Sequence, residues 1–339
     1  MNRNVPIDLD FEHLSEQLKK VAREFVDLKY QLDCKGRYNP DYIPDDLYGM
    51  AHSGDYSSVS GWTFFINIMP FVPAETNERQ IKYIPIEYTL GCSWRWWPEH
   101  AENDKDKIIN FIKNLDQAQS TSYTFISNLG IILSSEGKNR INFCRYHGIP
   151  KIPGNVDEVK YPEAERISIY KVDTCDNYLG CRGIKSSYLA VLDDRYIQAI
   201  EHIDYALPLL RGYGINIEYK WPERFPELMD IDRFAVRSLS EYAGCRKSID
   251  MERVNEYVKK EKEGEGTQNL SILDMKIKNK LFLFSVSILL LIVNFILFVE
   301  FRDGYLAQLF CGFLGMSISI FIMMVMPVFI VKKKYKDNR

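Results

Sequence analysis

Glu218 and Lys220 stand two apart in "INIEYK", and on a strand that spacing puts a carboxylate and an ammonium on one face. Such a pair is half of a metal-dependent nuclease centre. A second acid on a neighbouring strand would help hold magnesium, and the Lys would orient the nucleophile. The nearest acids that might serve, Asp193 and Asp194, fall where a helix is expected to open and read as its caps. The centre is therefore incomplete. No G-x-S-x-G, phosphate-loop or dinucleotide fingerprint supplies another reaction, so no catalytic residue is assigned and the non-enzyme reading leads.

The five histidines (13, 52, 100, 147 and 202) show no H-x-x-x-H or H-E-x-x-H spacing. The seven cysteines (34, 92, 144, 175, 181, 245 and 311) include no C-x-x-C pair. They read as free thiols of a reducing compartment, and neither a metal nor a cofactor is expected. In "CSWRWWPEH", three of the five tryptophans surround a guanidinium: Trp94, Arg95, Trp96 and Trp97. Trp and Arg anchor interfaces and stack on ligand rings, which makes this the candidate ligand or partner site. Strand alternation offers a plainer reading, with Trp94 and Trp96 turned into the core.

The polar residues of the last sixty positions are few, and their spacing is informative. Ser287 and Asn294 are seven apart and share a helix face, while Cys311, Gly315 and Ser319 recur every four residues, with Gln308 one turn before them. Small residues at that interval let helices approach closely, and an Asn in hydrocarbon needs a partner or water. Two alternatives stay open: a lumen-facing Asn294 in an assembly, or a plain anchor in which Asn294 bonds Ser317 or Gln308.

The elements carrying these residues are two apolar runs, 281–299 and 305–331, joined by the charged turn 300–304. A helix needs about 20 apolar residues to cross ~30 Å of hydrocarbon, and both runs suffice. Pro327 is expected to kink the last turns of the second. Lys276, Lys278 and Lys280 precede the first run; Lys332, Lys333, Lys334, Lys336 and Arg339 follow the second; only Arg302 lies between. Basic residues are retained on the cytoplasmic side, so both flanks and the basic tail 332–339 are expected there, with the pair in an inner membrane. "MNRNVPIDLDFEHL" has no secretory apolar core.

Residues 1–262 are expected to form a cytosolic α+β domain, followed by a linker, 263–280, containing "EGEGTQN". From Ser271 onward the chain has nine basic and four acidic residues; of its 43 and 46, that leaves 34 and 42 before it, a net −8. General nucleic-acid binding by so acidic a domain is excluded. An amphipathic helix is expected over 10–32, with Phe11, Leu14, Leu18, Val21, Phe25, Leu28 and Leu32 on one face, packed on its own domain or serving as a subunit interface. Strands are expected at 62–68, 82–90, "SYTFISNLGIILSS", "NRINFCRY", 166–172, 187–192 and 215–220, with helices at 104–117, after Asp193, and at 249–263.

The layout resembles the two-transmembrane effectors of bacterial antiphage defence, of the retron or cyclic-oligonucleotide type. The stretches that carry the resemblance are "LFLFSVSILLLIVNFILFV", "EFRDG" and "YLAQLFCGFLGMSISIFIMMVMPVFIV" behind a soluble sensor. It implies a domain held inactive by a regulatory protein, ribonucleoprotein or nucleotide signal. Activation would bring self-association, contact with membrane lipid and permeabilisation. A membrane-tethered enzyme, or a subunit of a membrane assembly, are the alternatives.

Overall fold

The computed structural model describes residues 6–50, 56–74, 77–92, 102–172, 187–241, 244–265, 267–275, 277–301 and 305–332. The chain forms two units, 1–254 and 255–339. The first is a mixed α/β domain with two mixed sheets; the second contains a pair of long apolar helices packed together.

In chain order the first unit runs β1 (Ile7–Asp8), α1 (Glu16–Tyr38), β2 (Tyr48–Met50), β3 (Tyr56–Ser58), α2 (Gly61–Ile68), β4 (Gln80–Pro85), β5 (Thr89–Leu90), α3 (Lys105–Lys113), α4 (Leu115–Ala118), β6 (Ser122–Ile126), β7 (Ile131–Glu136), α5 (Lys138–Tyr146) and β8 (Lys151–Val159). It continues with β9 (Ile167–Lys171), β10 (Tyr188–Leu192), β11 (Tyr196–Ala199), α6 (Ile203–Tyr213), β12 (Ile217–Glu218), α7 (Leu228–Phe234), β13 (Leu239–Ser240) and β14 (Ser248–Asp250), and the boundary at residue 254 falls within the first turn of α8 (Met251–Glu265). The first sheet has the order β1-β4-β8-β6-β7-β5, and the second β12-β9-β10-β11-β14-β13. In the second, only β12 runs parallel to its neighbour. One hydrophobic core runs from α1 and α2 through both sheets to α6.

Capping sets the first helix. Ser15 accepts from Leu18 N, so α1 starts at Glu16 rather than at residue 10. Its apolar stripe, including Leu18, Ala22, Phe25 and Val26, is buried in the domain, and α1 packs against α6. That stripe is therefore not free to contact another chain.

Two expected strands are helices. "WTFFINI" forms α2 because Ser60 caps it, accepting from Thr63 N, and because burial around most of the helix overrides the β preference of Trp, Phe and Ile. A Cβ at Gly61 would stand 2.3 Å from Leu90 O, so the glycine lets α2 approach β5. "NRINFCRY" likewise forms α5, opened by Gly137 at φ 82°. The hairpin turn in "SYTFISNLGIILSS" falls at residues 127–130, where Gly130 has φ 68°.

Asp193 and Asp194 open no helix. Both take left-handed backbone, φ 53° and 54°, in the tight turn joining β10 to β11, closed by Arg195 N to Leu192 O. β11 occupies the stretch expected to begin the helix, and α6 starts only after His202.

In the second unit, α9 (Lys280–Glu300) and α10 (Tyr305–Val325) are largely exposed and each is long enough to cross a membrane. α10 stops short of residue 331. Pro327 lacks an N–H and cannot continue the ladder, and the apolar chain beyond it becomes β16 (Phe329–Lys332). Its partner is β15 (Thr267–Leu270), so the expected linker is in part an ordered antiparallel strand. The two strands bracket the helix pair in sequence. Between β15 and α9, Ser271 and Asp274 cap each other reciprocally, and Lys280 Nζ donates to Leu273 O at 2.7 Å.

Candidate functional site

The polar residues of the two apolar runs divide between two faces. Ser287, Leu291, Asn294 and Phe298 follow the 4-3-4 spacing of one α9 face, which is the more covered one. Asn294 Nδ2 donates to Ser317 Oγ at 2.8 Å, and Ser317 Oγ donates to Phe313 O at 2.9 Å. Ser287 is buried, 3% exposed, and donates to Phe284 O within its own helix. Aromatic pairs flank this polar centre: Phe284 with Phe321, ring centroids 5.8 Å apart, and Phe301 with Phe310 at 5.4 Å. Of the two partners open to Asn294, Ser317 takes its amide.

Gln308, Cys311, Gly315 and Ser319 lie on the other side of α10 and are exposed. A Cβ added at Gly312 or Gly315 would meet nothing within 4 Å. The Ser319 hydroxyl is satisfied within its own helix by Gly315 O at 2.9 Å. The small residues thus take no part in packing α10 on α9.

Trp94, Arg95, Trp96 and Trp97 lie outside the described residues. Glu218 ends an exposed edge strand of only two residues, and Lys220 lies in the bend beyond it, where it pairs instead with Glu223 at 3.3 Å. Asp193 and Asp194 are bound to guanidinium groups, Arg166 and Arg224 respectively, at 2.6–2.9 Å. The Arg166 hydrogen bonds hold the Asp193 carboxyl below the usual range. The nuclease triad is not assembled from these acids. Burial pushes the Cys144 thiol up to about 12 and raises that of Cys245, so neither is a thiolate nucleophile at neutral pH.

A different group does come together. Asp46 stands on a short helical turn, Asp45–Leu47, anchored by buried Leu47 and by Asn67 Nδ2 donating to Asp46 O at 3.1 Å. His202 is the residue before α6, with Glu201 beside it. His202 Nε2 lies 2.7 Å from Asp46 Oδ2, and its ring stacks on Tyr205 with centroids 5.8 Å apart. One ligand atom from each of Asp46, Glu201 and His202 falls within 4.8 Å of the other two. Short-range spacing could not have found this group, since Asp46 and His202 are 156 positions apart.

No protein-family model matches the chain, and neither the characterised proteins nor the solved structures contain a match to it.

Proposed function

We propose that the chain is a membrane effector of bacterial antiphage defence. Its α/β domain stands in the cytoplasm, its helix pair spans the inner membrane, and several pairs gather to permeabilise that membrane when the domain is released or signalled. The observation that carries this reading is the division of labour on α10. Ser317 meets Asn294 across the pair, while Cys311, Gly315 and Ser319 remain on the opposite, open side. In a bilayer, helices associate through small residues and close packing rather than through hydrophobic burial, so that open side is suited to a neighbouring copy. One pair cannot enclose a water path, and permeabilisation therefore requires several. The activating partner is a regulatory protein, a ribonucleoprotein or a nucleotide, as in the effectors the layout resembles.

A plain anchor is the second reading, and the Asn294–Ser317 bond favours it by satisfying the amide within one chain. Reconstitution separates the two. Purified full-length protein in lipid vesicles loaded with a self-quenched dye is expected to release the dye, and Gly315→Leu to abolish release. Vesicles that stay sealed at high protein density support the anchor.

A further inference from the structure

We propose that Asp46, Glu201 and His202 form a binding site for a divalent transition-metal ion, of the zinc or manganese class. Metal–nitrogen and metal–oxygen bonds of about 2.0–2.2 Å put two ligand atoms on one ion up to about 4.3 Å apart. The three ligand atoms already lie within 4.8 Å of one another, so small side-chain rotations bring all three onto one ion.

Charge gives a second, independent argument. Two carboxylates face one imidazole, and Glu201 has no hydrogen bond or ion pair among the described residues. Like charges this close, drawn partly out of water, favour an added cation. The Asp46 and His202 side chains are only 11% and 14% exposed, which excludes much of the competing solvent. Glu201 is itself half-buried, yet among the described residues no other group takes up its charge.

The donor set selects the ion. An imidazole nitrogen suits zinc or iron and the two carboxylates also admit manganese, whereas magnesium and calcium prefer all-oxygen shells. Three protein ligands leave at least one position for water or an exchangeable group. The supports around the ligands are those a metal site needs. Asn67 holds the Asp46 backbone, and Tyr205 stacks on the His202 ring, fixing its plane. An ion here ties the segment that follows α1 to the start of α6, beside the end of β11.

The test uses the full chain in detergent, stripped with a chelator and titrated calorimetrically with manganese and with zinc. One ion per chain is expected. Glu201→Gln removes a ligand without breaking any side-chain bond among the described residues, and should weaken manganese binding at least about tenfold, with His202→Gln at least as severe. Thermal unfolding of Glu201→Gln without metal should match the parent, and only the parent should gain stability when the ion is added. Reading the variants with manganese keeps the free cysteines out of the result. The proposal is overturned if neither ion binds, if both variants bind manganese as the parent does, or if magnesium displaces it equally well.

Discussion

Asn294 donates its side-chain amide to Ser317 at 2.8 Å, across the middle of the helix pair. Hydrogen bonds between membrane helices contribute about 0.6 kcal/mol on average and up to about 1.7. Asn294→Leu should therefore lower the stability of the pair by about 1 kcal/mol in a detergent unfolding assay, because Ser317 keeps its bond to Phe313 O. Insertion and permeabilisation should persist. Loss of conductance with the pair intact would instead place Asn294 on a lumen.

The proposed topology rests on the flanking Lys residues. In a cysteine-free background, Asp303→Cys should react with an impermeant maleimide added to intact cells, and Lys334→Cys only after permeabilisation. The reverse pattern would put the α/β domain on the outer side.

Ser60 caps α2 through Thr63 N at 3.1 Å. Ser60→Ala should cost about 1 kcal/mol of domain stability, read from the chemical unfolding midpoint. An unchanged midpoint would argue that residues 61–68 are held in the helix by packing alone.

Acid should destabilise the first unit. The Arg166 hydrogen bonds hold Asp193 below its ordinary value; at Asp250 burial pushes the carboxyl up, but the Arg195 guanidinium, at 2.8 and 3.0 Å, the Glu252 backbone N–H and Arg253 together outweigh it and the net shift is downward. A depressed folded-state pKa means that the unfolded chain binds more protons. The contribution is thus complete above the unfolded-state value and lost as pH falls through the folded one. The unfolding midpoint should drop between about pH 5 and about pH 3, and Asp250→Asn should flatten that drop. A profile as steep as the parent's would remove Asp250 from the account.

The helix pair was the most legible part of the sequence, because twenty uniformly apolar residues outweigh any local preference. The tertiary domain was less so. "WTFFINI" and "NRINFCRY" have strand-like composition, and what makes them helices lies outside them: the Ser60 cap, the left-handed Gly137, and burial against the first sheet. Asp193 and Asp194 look like caps in isolation, but their left-handed backbone and their Arg166 and Arg224 partners make them a hairpin turn. The strand β16 was hidden for a related reason: apolar residues after Pro327 fit a helix end as well as a strand until their pairing with 267–270 is known. For the Asp46, Glu201 and His202 group no local signal exists, since only the fold closes the distance.

The central claim is that the hairpin acts on the membrane rather than merely holding the domain there. It is tested most directly by following a membrane-potential dye in bacterial cells during induced production of the full chain, beside Gly315→Leu at equal abundance in the membrane fraction. Gly315 faces open space within one chain, so the added bulk leaves the pair intact and obstructs only a neighbour. The account predicts depolarisation by the parent and a held potential with the variant. A potential that holds with the parent fully inserted, or that collapses equally with both, would contradict it.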